Sequence, residues 1–145
     1  MDQRYIEILE YIGEGYKPLV DYGEWRVAVL RYIDELKPDR IKEMERHTET
    51  DEVFVLFHGQ GVLLVGGLGS QVQAIYPQVM EFGKLYNVKR NVWHAILLSP
   101  DASVLLVENR NTSKVNSEYF SLTREQTEAI LEQAHYVETR DLNGQ

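Results

Sequence analysis

Between Trp25 and Asn109 the sequence breaks into short runs of Val, Leu, Ile and aromatic residues, each closed by a tight turn. Runs this short, rich in β-branched and aromatic side chains, form strands rather than helices. We read them as Trp25–Ile33, Ile41–His47, Glu52–His58, Val62–Gly67, Gln71–Tyr76, Lys84–Lys89, Trp93–Ser99 and Ser103–Asn109. The breaks are strong turn formers: Lys37-Pro38-Asp39, Gly59-Gln60-Gly61, Gly66-Gly67-Leu68-Gly69 and Ser99-Pro100-Asp101. A chain built this way closes into a β-sandwich or a barrel. The expected fold is therefore all-β.

Helical spacing is confined to the two ends. Tyr5, Ile6, Leu9 and Ile12 fall at helical intervals in residues 2–12, and Gly13, Gly15 and Pro18 then stop the pattern. Thr123 offers an N-cap for a second helix reaching Tyr136, and the tail 141–145 is expected to fray. The chain's 145 residues suit one domain: an N-terminal helix and arm over 1–24, a barrel over 25–110 and a C-terminal extension with a helix over 111–145. Some strands are apolar on both faces. In Glu52–His58, Phe54 and Leu56 share a face with Glu52, while Val53, Val55 and Phe57 occupy the other. A strand apolar on both sides needs cover on both sides. The terminal helices can cover part of one sheet, and a homodimer is expected to cover the rest.

Charge and composition narrow the chemistry. With 15 Lys+Arg against 23 Asp+Glu the net charge is −8, which disfavours nucleic acid as a partner. The 0 Cys remove disulfides, thiolate metal sites and cysteine nucleophiles. The N-terminal residues MDQRYIEILE lack the apolar core of a signal peptide, and the apolar run Val62–Gly67 is too short to span a bilayer. No membrane association is expected, and a cytoplasmic location is. Gly67-Leu68-Gly69-Ser70 precedes no helical pattern and makes no nucleophile elbow, while Gly59-Gln60-Gly61 leads into a strand as a hairpin turn. Tyr11, Tyr16, Tyr22 and Trp25 read as packing over the barrel, or as a surface on which a ligand could stack. Of the four imidazoles, His58 sits beside the Gly59 turn and His135 on the last helix, both as surface residues. That leaves His47 and His94.

His47 lies in the most informative stretch of the chain, Glu45-Arg46-His47-Thr48-Glu49-Thr50-Asp51-Glu52. Side chains alternate along a strand, so Glu45 and His47 project from one face. A turn follows, and Glu52 opens the next strand, aimed at the same interior if that strand pairs with the first. Downstream, the polar turn Lys89-Arg90-Asn91 leads to Trp93-His94, where His94 shares a face with Ile96 and Leu98.

These two segments resemble the two sequence motifs of the cupin superfamily. His47, four residues, Glu52, six residues and Gly59 follow the spacing of the first motif, and Asp51-Glu52-Val53-Phe54-Val55-Leu56 is similar to its common "DExFxVL" form. His94 stands where the second motif places its His, with Lys89 and Asn91 where Pro and Gly usually stand and Leu98 in the position of an Asn. Glu45 replaces the first His of the family's three-His-one-Glu set. The resemblance spans about half the chain, Ile41 to Asn109, and implies a small double-sheet jelly roll. It implies a divalent transition metal (Fe, Mn, Ni or Zn) on His47, Glu52 and His94, with Glu45 either a fourth ligand or, if not a ligand, a general base whose pKa an apolar barrel would raise. The function implied is that of a metal-dependent enzyme on a small polar metabolite, by isomerase, lyase or dioxygenase chemistry. The alternative is a non-catalytic small-ligand-binding or structural cupin whose metal site has decayed, which the Glu45 replacement and the eroded second motif favour.

Overall fold

The protein is described by a computed structural model over residues 1–138, so the expected tail at 141–145 lies outside the described residues. Ten strands form: β1 (Gly15–Tyr22), β2 (Trp25–Arg31), β3 (Glu43–His47), β4 (Glu52–His58), β5 (Gly61–Gly67), β6 (Tyr76–Val79), β7 (Leu85–Val88), β8 (Trp93–Leu98), β9 (Ser103–Asn109) and β10 (Ser117–Ser121). One α-helix follows, α1 (Arg124–Leu131). The strands make two five-stranded sheets with orders β1-β2-β9-β4-β7 and β10-β3-β8-β5-β6. All pairings are antiparallel. Apart from the β1–β2 and β5–β6 hairpins, strands consecutive in the chain fall in different sheets, as in a jelly roll. The expected all-β double sheet is what forms.

Two apolar clusters follow from this layering. One fills the space between the sheets, where Ala28, Phe54, Leu56, Val104 and Leu106 of the first sheet meet Leu63, Ile96 and Leu98 of the second. The other lies on the outer side of the second sheet, where Met44, Val62, Leu64, Trp93 and Leu97 are covered by Ile130 of α1 and Val137 beyond it. Helix α1 starts where the sequence places it: Thr123 and Gln126 form a reciprocal capping box, each side chain taking the other's backbone N–H. Gln126 Nε2 also donates to the carbonyl of Val72 at 2.7 Å, fastening the helix to the β5–β6 connection. The helix ends at Leu131, and a 3-10 turn over Ala134–Tyr136 completes the segment expected to be helical.

The structure corrects the sequence reading at the ends. Residues 2–12 do not form a helix: after a turn at 3–5 the chain carries no regular structure until β1. An isolated helix of that length is marginal without an apolar face to bury, and Tyr5, Ile8 and Ile12 stay 78%, 86% and 79% exposed. Strands β1 and β10 both lie outside the expected barrel segment, yet each is an edge strand of a sheet. The strand expected at Gln71–Tyr76 falls instead at Tyr76–Val79, because Val72 is drawn under α1 and its carbonyl is occupied by Gln126.

Gly59 closes the β4–β5 turn with φ +73°, and a Cβ there would come within 2.6 Å of the Ala102 backbone. Gly23, at φ +57°, faces open space. Gly59→Ala is expected to cost more than the ~1–3 kcal/mol of left-handed strain alone, and Gly23→Ala about 1 kcal/mol. Urea denaturation of both variants checks the difference; equal losses would contradict the backbone clash.

Candidate functional site

The turn between β3 and β4 carries the chain from the second sheet to the first, so His47 and Glu52 face one another across the cavity. Asp51 fixes this turn: its carboxylate accepts the backbone N–H of Arg90 at 2.7 Å and the Asn87 side-chain amide at 3.1 Å. These donors hold the Asp51 carboxyl below its usual value, Arg90 first and Asn87 next. The N–H of Asn91 donates to the carbonyl of His47 at 2.8 Å. The β7–β8 turn is therefore clamped to the β3–β4 turn, and His94 enters the cavity two residues after it. Asn91 adopts φ +68°, the left-handed conformation that a glycine would take freely and that Asn tolerates best among other residues. It does the work of the expected glycine.

All four residues expected at the site are brought together. Glu52 Oε2 lies 2.7 Å from His47 Nε2 and 3.3 Å from His94 Nε2, and all three side chains are buried. Glu45, paired in register with His94, places Oε1 3.8 Å from His47 Nε2 and keeps its side chain 41% exposed toward the cavity mouth. The imidazoles are oriented from behind. His94 Nδ1 donates to the carbonyl of Val92 at 2.9 Å, and His47 Nδ1 is hydrogen-bonded to Ser117 Oγ at 2.8 Å. An Nδ1–H on His94 leaves the Nε2 lone pair facing inward in the neutral ring, the tautomer a metal requires. Phe54 packs edge-on against His94, with ring centroids 5.9 Å apart.

Two buried atoms at the centre lack any hydrogen-bond partner: Glu52 Oε2 and His94 Nε2. Buried polar atoms are almost always paired. Here they crowd one another without hydrogen-bond alignment, the arrangement of ligands aimed at a common point. Glu45, His47 and His94 each bring one ligand atom within 4.8 Å of the others. The donor set of imidazole nitrogens and carboxylate oxygens suits first-row divalent ions, so the residues present fit a metal.

The electrostatics follow from burial and charge. Desolvation opposes ionisation of Glu52, yet the two imidazoles outweigh it and hold its carboxyl below the ordinary range. His47 and His94 are pushed down by burial and up, by more, through Glu52, so both titrate above the ordinary value. Glu45 moves the other way: burial raises its carboxyl despite the neighbouring His94 and His47.

The motif-based reading does not reach Glu108. It is buried on β9, and its Oε1 accepts hydrogen bonds from Tyr16 at 2.8 Å and from Arg26 Nη2 at 2.5 Å. Arg26 also stands over the Tyr16 ring, 5.5 Å from its centroid. Burial and the Glu108 charge raise the Tyr16 hydroxyl well above its usual value. A Glu108 oxygen falls within 4.8 Å of ligand atoms on both His47 and Glu52. These residues, with Leu30, Ile41, Ile96 and Tyr119, line a cavity of about 440 Å³. Its walls are largely apolar and its polar groups converge at one end, the usual build of a small-molecule site. Of the remaining imidazoles, His58 is exposed and bound to the Asp101 carbonyl, and His135 is exposed. Tyr16 is the one member of the expected aromatic surface that lines the cavity.

A two-sheet jelly roll with a His/Glu cluster inside its cavity defines the class of protein. Neither the protein-family models nor the curated proteins give a match to the sequence. Solved structures do. The capsular polysaccharide assembling protein CapF from Staphylococcus aureus is 13% identical, with a TM-score of 0.56 over 79% of this chain and 34% of that one. Streptomyces PAC13 with uridine is 12% identical, with a TM-score of 0.51 over 79% of this chain and 86% of that one. A cupin-2 domain containing protein from Shewanella frigidimarina is 16% identical, with a TM-score of 0.49 over 68% of this chain and 85% of that one. The chain has the cupin fold.

Removing the charge on Glu52 withdraws what raises both imidazoles. In the metal-free protein, Glu52→Gln is expected to lower the His47 and His94 pKa values together, as followed by imidazole nitrogen NMR. Stability should follow the same signs. The raised imidazoles stabilise the fold fully below their unfolded value of 6.5, and that contribution fades as pH rises through the folded values. The lowered Glu52 stabilises it above 4.5, and that is lost as pH falls through the folded value. The cluster's contribution thus peaks between the two in wild type and flattens in Glu52→Gln. Unchanged imidazole titrations in the variant would contradict the coupling.

Proposed function

We propose that this protein binds one divalent transition metal through His47, Glu52 and His94, and uses it to bind and transform a small, neutral, polar metabolite in the cavity. The observation that carries the reading is the pair of orphaned buried atoms, Glu52 Oε2 and His94 Nε2, converging with His47 Nε2. Without a cation, Glu52 Oε2 and His94 Nε2 are buried with no aligned hydrogen-bond partner.

A metal held there supplies Lewis acidity, polarising a carbonyl or stabilising an enolate. The chain's own residues do the rest. Ser117 and the Val92 carbonyl hold the two imidazoles in their ligating orientation. Glu45, farther from the convergence and open to the cavity, serves as the proton acceptor, its affinity for a proton raised by burial. Arg26 and Tyr16 fix Glu108 as a hydrogen-bond acceptor beside the cluster. The charges close: Glu45 and Glu52 balance a divalent ion, and Arg26 balances Glu108. A cavity neutral in sum favours an uncharged ligand carrying hydroxyl or carbonyl groups. Uridine, held in the structure of Streptomyces PAC13, is of that kind and supports the size and polarity of the ligand. Isomerisation, lyase and dioxygenase reactions are all open to such a site.

Elemental analysis of the purified protein is expected to find about one transition metal per chain. His94→Ala should lose it, while Glu45→Gln should retain it with less than a tenfold change in affinity. Metal affinity should rise with pH through the neutral range, because both imidazoles must shed protons whose pKa values are raised. Wild-type protein that takes up none of iron, manganese, nickel or zinc would overturn the proposal in favour of a cupin whose metal site has decayed.

A further inference from the structure

Glu108 has hydrogen-bonding capacity that its own chain does not use up. Both of its hydrogen bonds, from Tyr16 at 2.8 Å and from Arg26 Nη2 at 2.5 Å, are accepted by Oε1. Among the described residues Oε2 has no partner. Unlike Glu52 Oε2 and His94 Nε2 it is not sealed from solvent, so it opens on the cavity that Glu108 lines. The carboxylate cannot swing away, because Tyr16 and the ion pair to Arg26 hold its other oxygen.

The donors of the interior are spent, whereas its acceptors are not. Arg26 gives Nη1 to the Arg110 carbonyl and Nη2 to Glu108 and the Thr112 carbonyl, and its Nε is buried. The Tyr16 hydroxyl donates to Glu108, that of Thr112 donates to the Asn109 carbonyl, and Ser117 is turned to His47 Nδ1. Glu43, Ser113, Lys114 and Tyr119 also line the cavity but are exposed. Inside, a ligand meets the open carboxylate oxygens of Glu45 and Glu108, while the hydroxyls and the guanidinium are turned to the protein's own acceptors. A carboxylate or phosphate on the ligand would face those oxygens without a free positive charge beside it, since that of Arg26 is already paired. A hydroxyl would be matched.

We infer that Glu108 Oε2 selects the ligand by accepting a hydroxyl hydrogen next to the oxygen that the metal holds, and that the ligand class is a neutral α-hydroxycarbonyl compound. The inference rests on the metal reading above and adds the residue that tells ligands apart. A Glu108 oxygen lies within 4.8 Å of ligand atoms on both His47 and Glu52, and a metal stands about 2.0–2.2 Å from such atoms. A hydroxyl reaches a carboxylate over about 2.5–2.7 Å. Steps this short are bridged when carbonyl and hydroxyl sit on neighbouring carbons, and a donor several carbons away would overshoot. A site that pairs a ligand hydroxyl in this way rejects analogues lacking it, because its own acceptor is then left without a partner.

Cobalt-loaded protein reports ligand binding through its visible spectrum. Wild type is expected to bind 2-hydroxycyclohexanone at least about tenfold more tightly than 2-fluorocyclohexanone, which is similar in size but has no hydroxyl hydrogen to give. Glu108→Gln leaves its amide oxygen to Arg26 and Tyr16 and turns an N–H toward the cavity in place of an acceptor. It is expected to keep its cobalt and to bring the two ligands within roughly threefold of each other. Chelation of both ligand oxygens by the metal, or a hydrogen bond to Glu45 instead, would leave the preference intact in the variant and overturn the inference. So would a cobalt-loaded wild type with no preference, or loss of cobalt from Glu108→Gln, which would make Glu108 a metal ligand. Wild type that takes up no cobalt removes the metal reading itself, and this inference with it. If Glu108→Gln fails to fold, Glu108→Asp keeps the charge beside Arg26, draws the oxygen back from the cavity, and is held to the same ratio.

Discussion

The structure turns on one buried carboxylate. Glu52 comes from the first sheet and reaches two imidazoles of the second, His47 at 2.7 Å and His94 at 3.3 Å. Apolar side chains flank them, with Phe54 against His94 and Leu106 and Ile96 also on the cavity wall. Three ionisable groups held together in such a place give up their hydration and depend on one another's charge. A fold keeps that arrangement when something else is gained by it, and a bound cation is what this donor set is suited to gain.

The surroundings of the cluster are organised to hold it. The two turns that deliver its residues are tied to each other, Asp51 to Arg90 and Asn87, and His47 to Asn91. Each imidazole is fixed at Nδ1, so rotation of either ring requires breaking a hydrogen bond. A second group, Tyr16–Glu108–Arg26, stands beside it on the first sheet, with Glu108 ion-paired to Arg26 and hydrogen-bonded by Tyr16. The His/Glu cluster and a rigid acceptor at Glu108 therefore stand side by side at one end of the cavity. Between them Glu45 remains partly open, able to exchange protons with a ligand.

Much of this was legible from the residues. Alternation in Glu52–His58 put Glu52, Phe54 and Leu56 on one face, which is the face that the structure buries, and the spacing of His47, Glu52 and Gly59 singled out the residues of the site. The N-terminal residues misled because helical spacing of Tyr5, Ile6, Leu9 and Ile12 says nothing of whether a surface exists to bury them. Edge strands escaped notice for a related reason. β1 carries a Pro and β10 reads Ser-Glu-Tyr-Phe-Ser, compositions an edge strand tolerates because only one of its sides needs pairing. Glu108 could not be found by spacing at all. Its partners Tyr16 and Arg26 lie 92 and 82 residues away in the chain and meet it only because β1, β2 and β9 are neighbours in one sheet.

The central claim is that three side chains from two sheets converge on a single metal. Anomalous diffraction at the metal's absorption edge, from crystals grown with the ion the purified protein retains, tests it directly. The account expects one strong peak in the cavity, about 2.0–2.3 Å from His47 Nε2, His94 Nε2 and a Glu52 carboxylate oxygen. A cavity with no anomalous signal, or a peak bound only by surface residues such as His58 or His135, would contradict it.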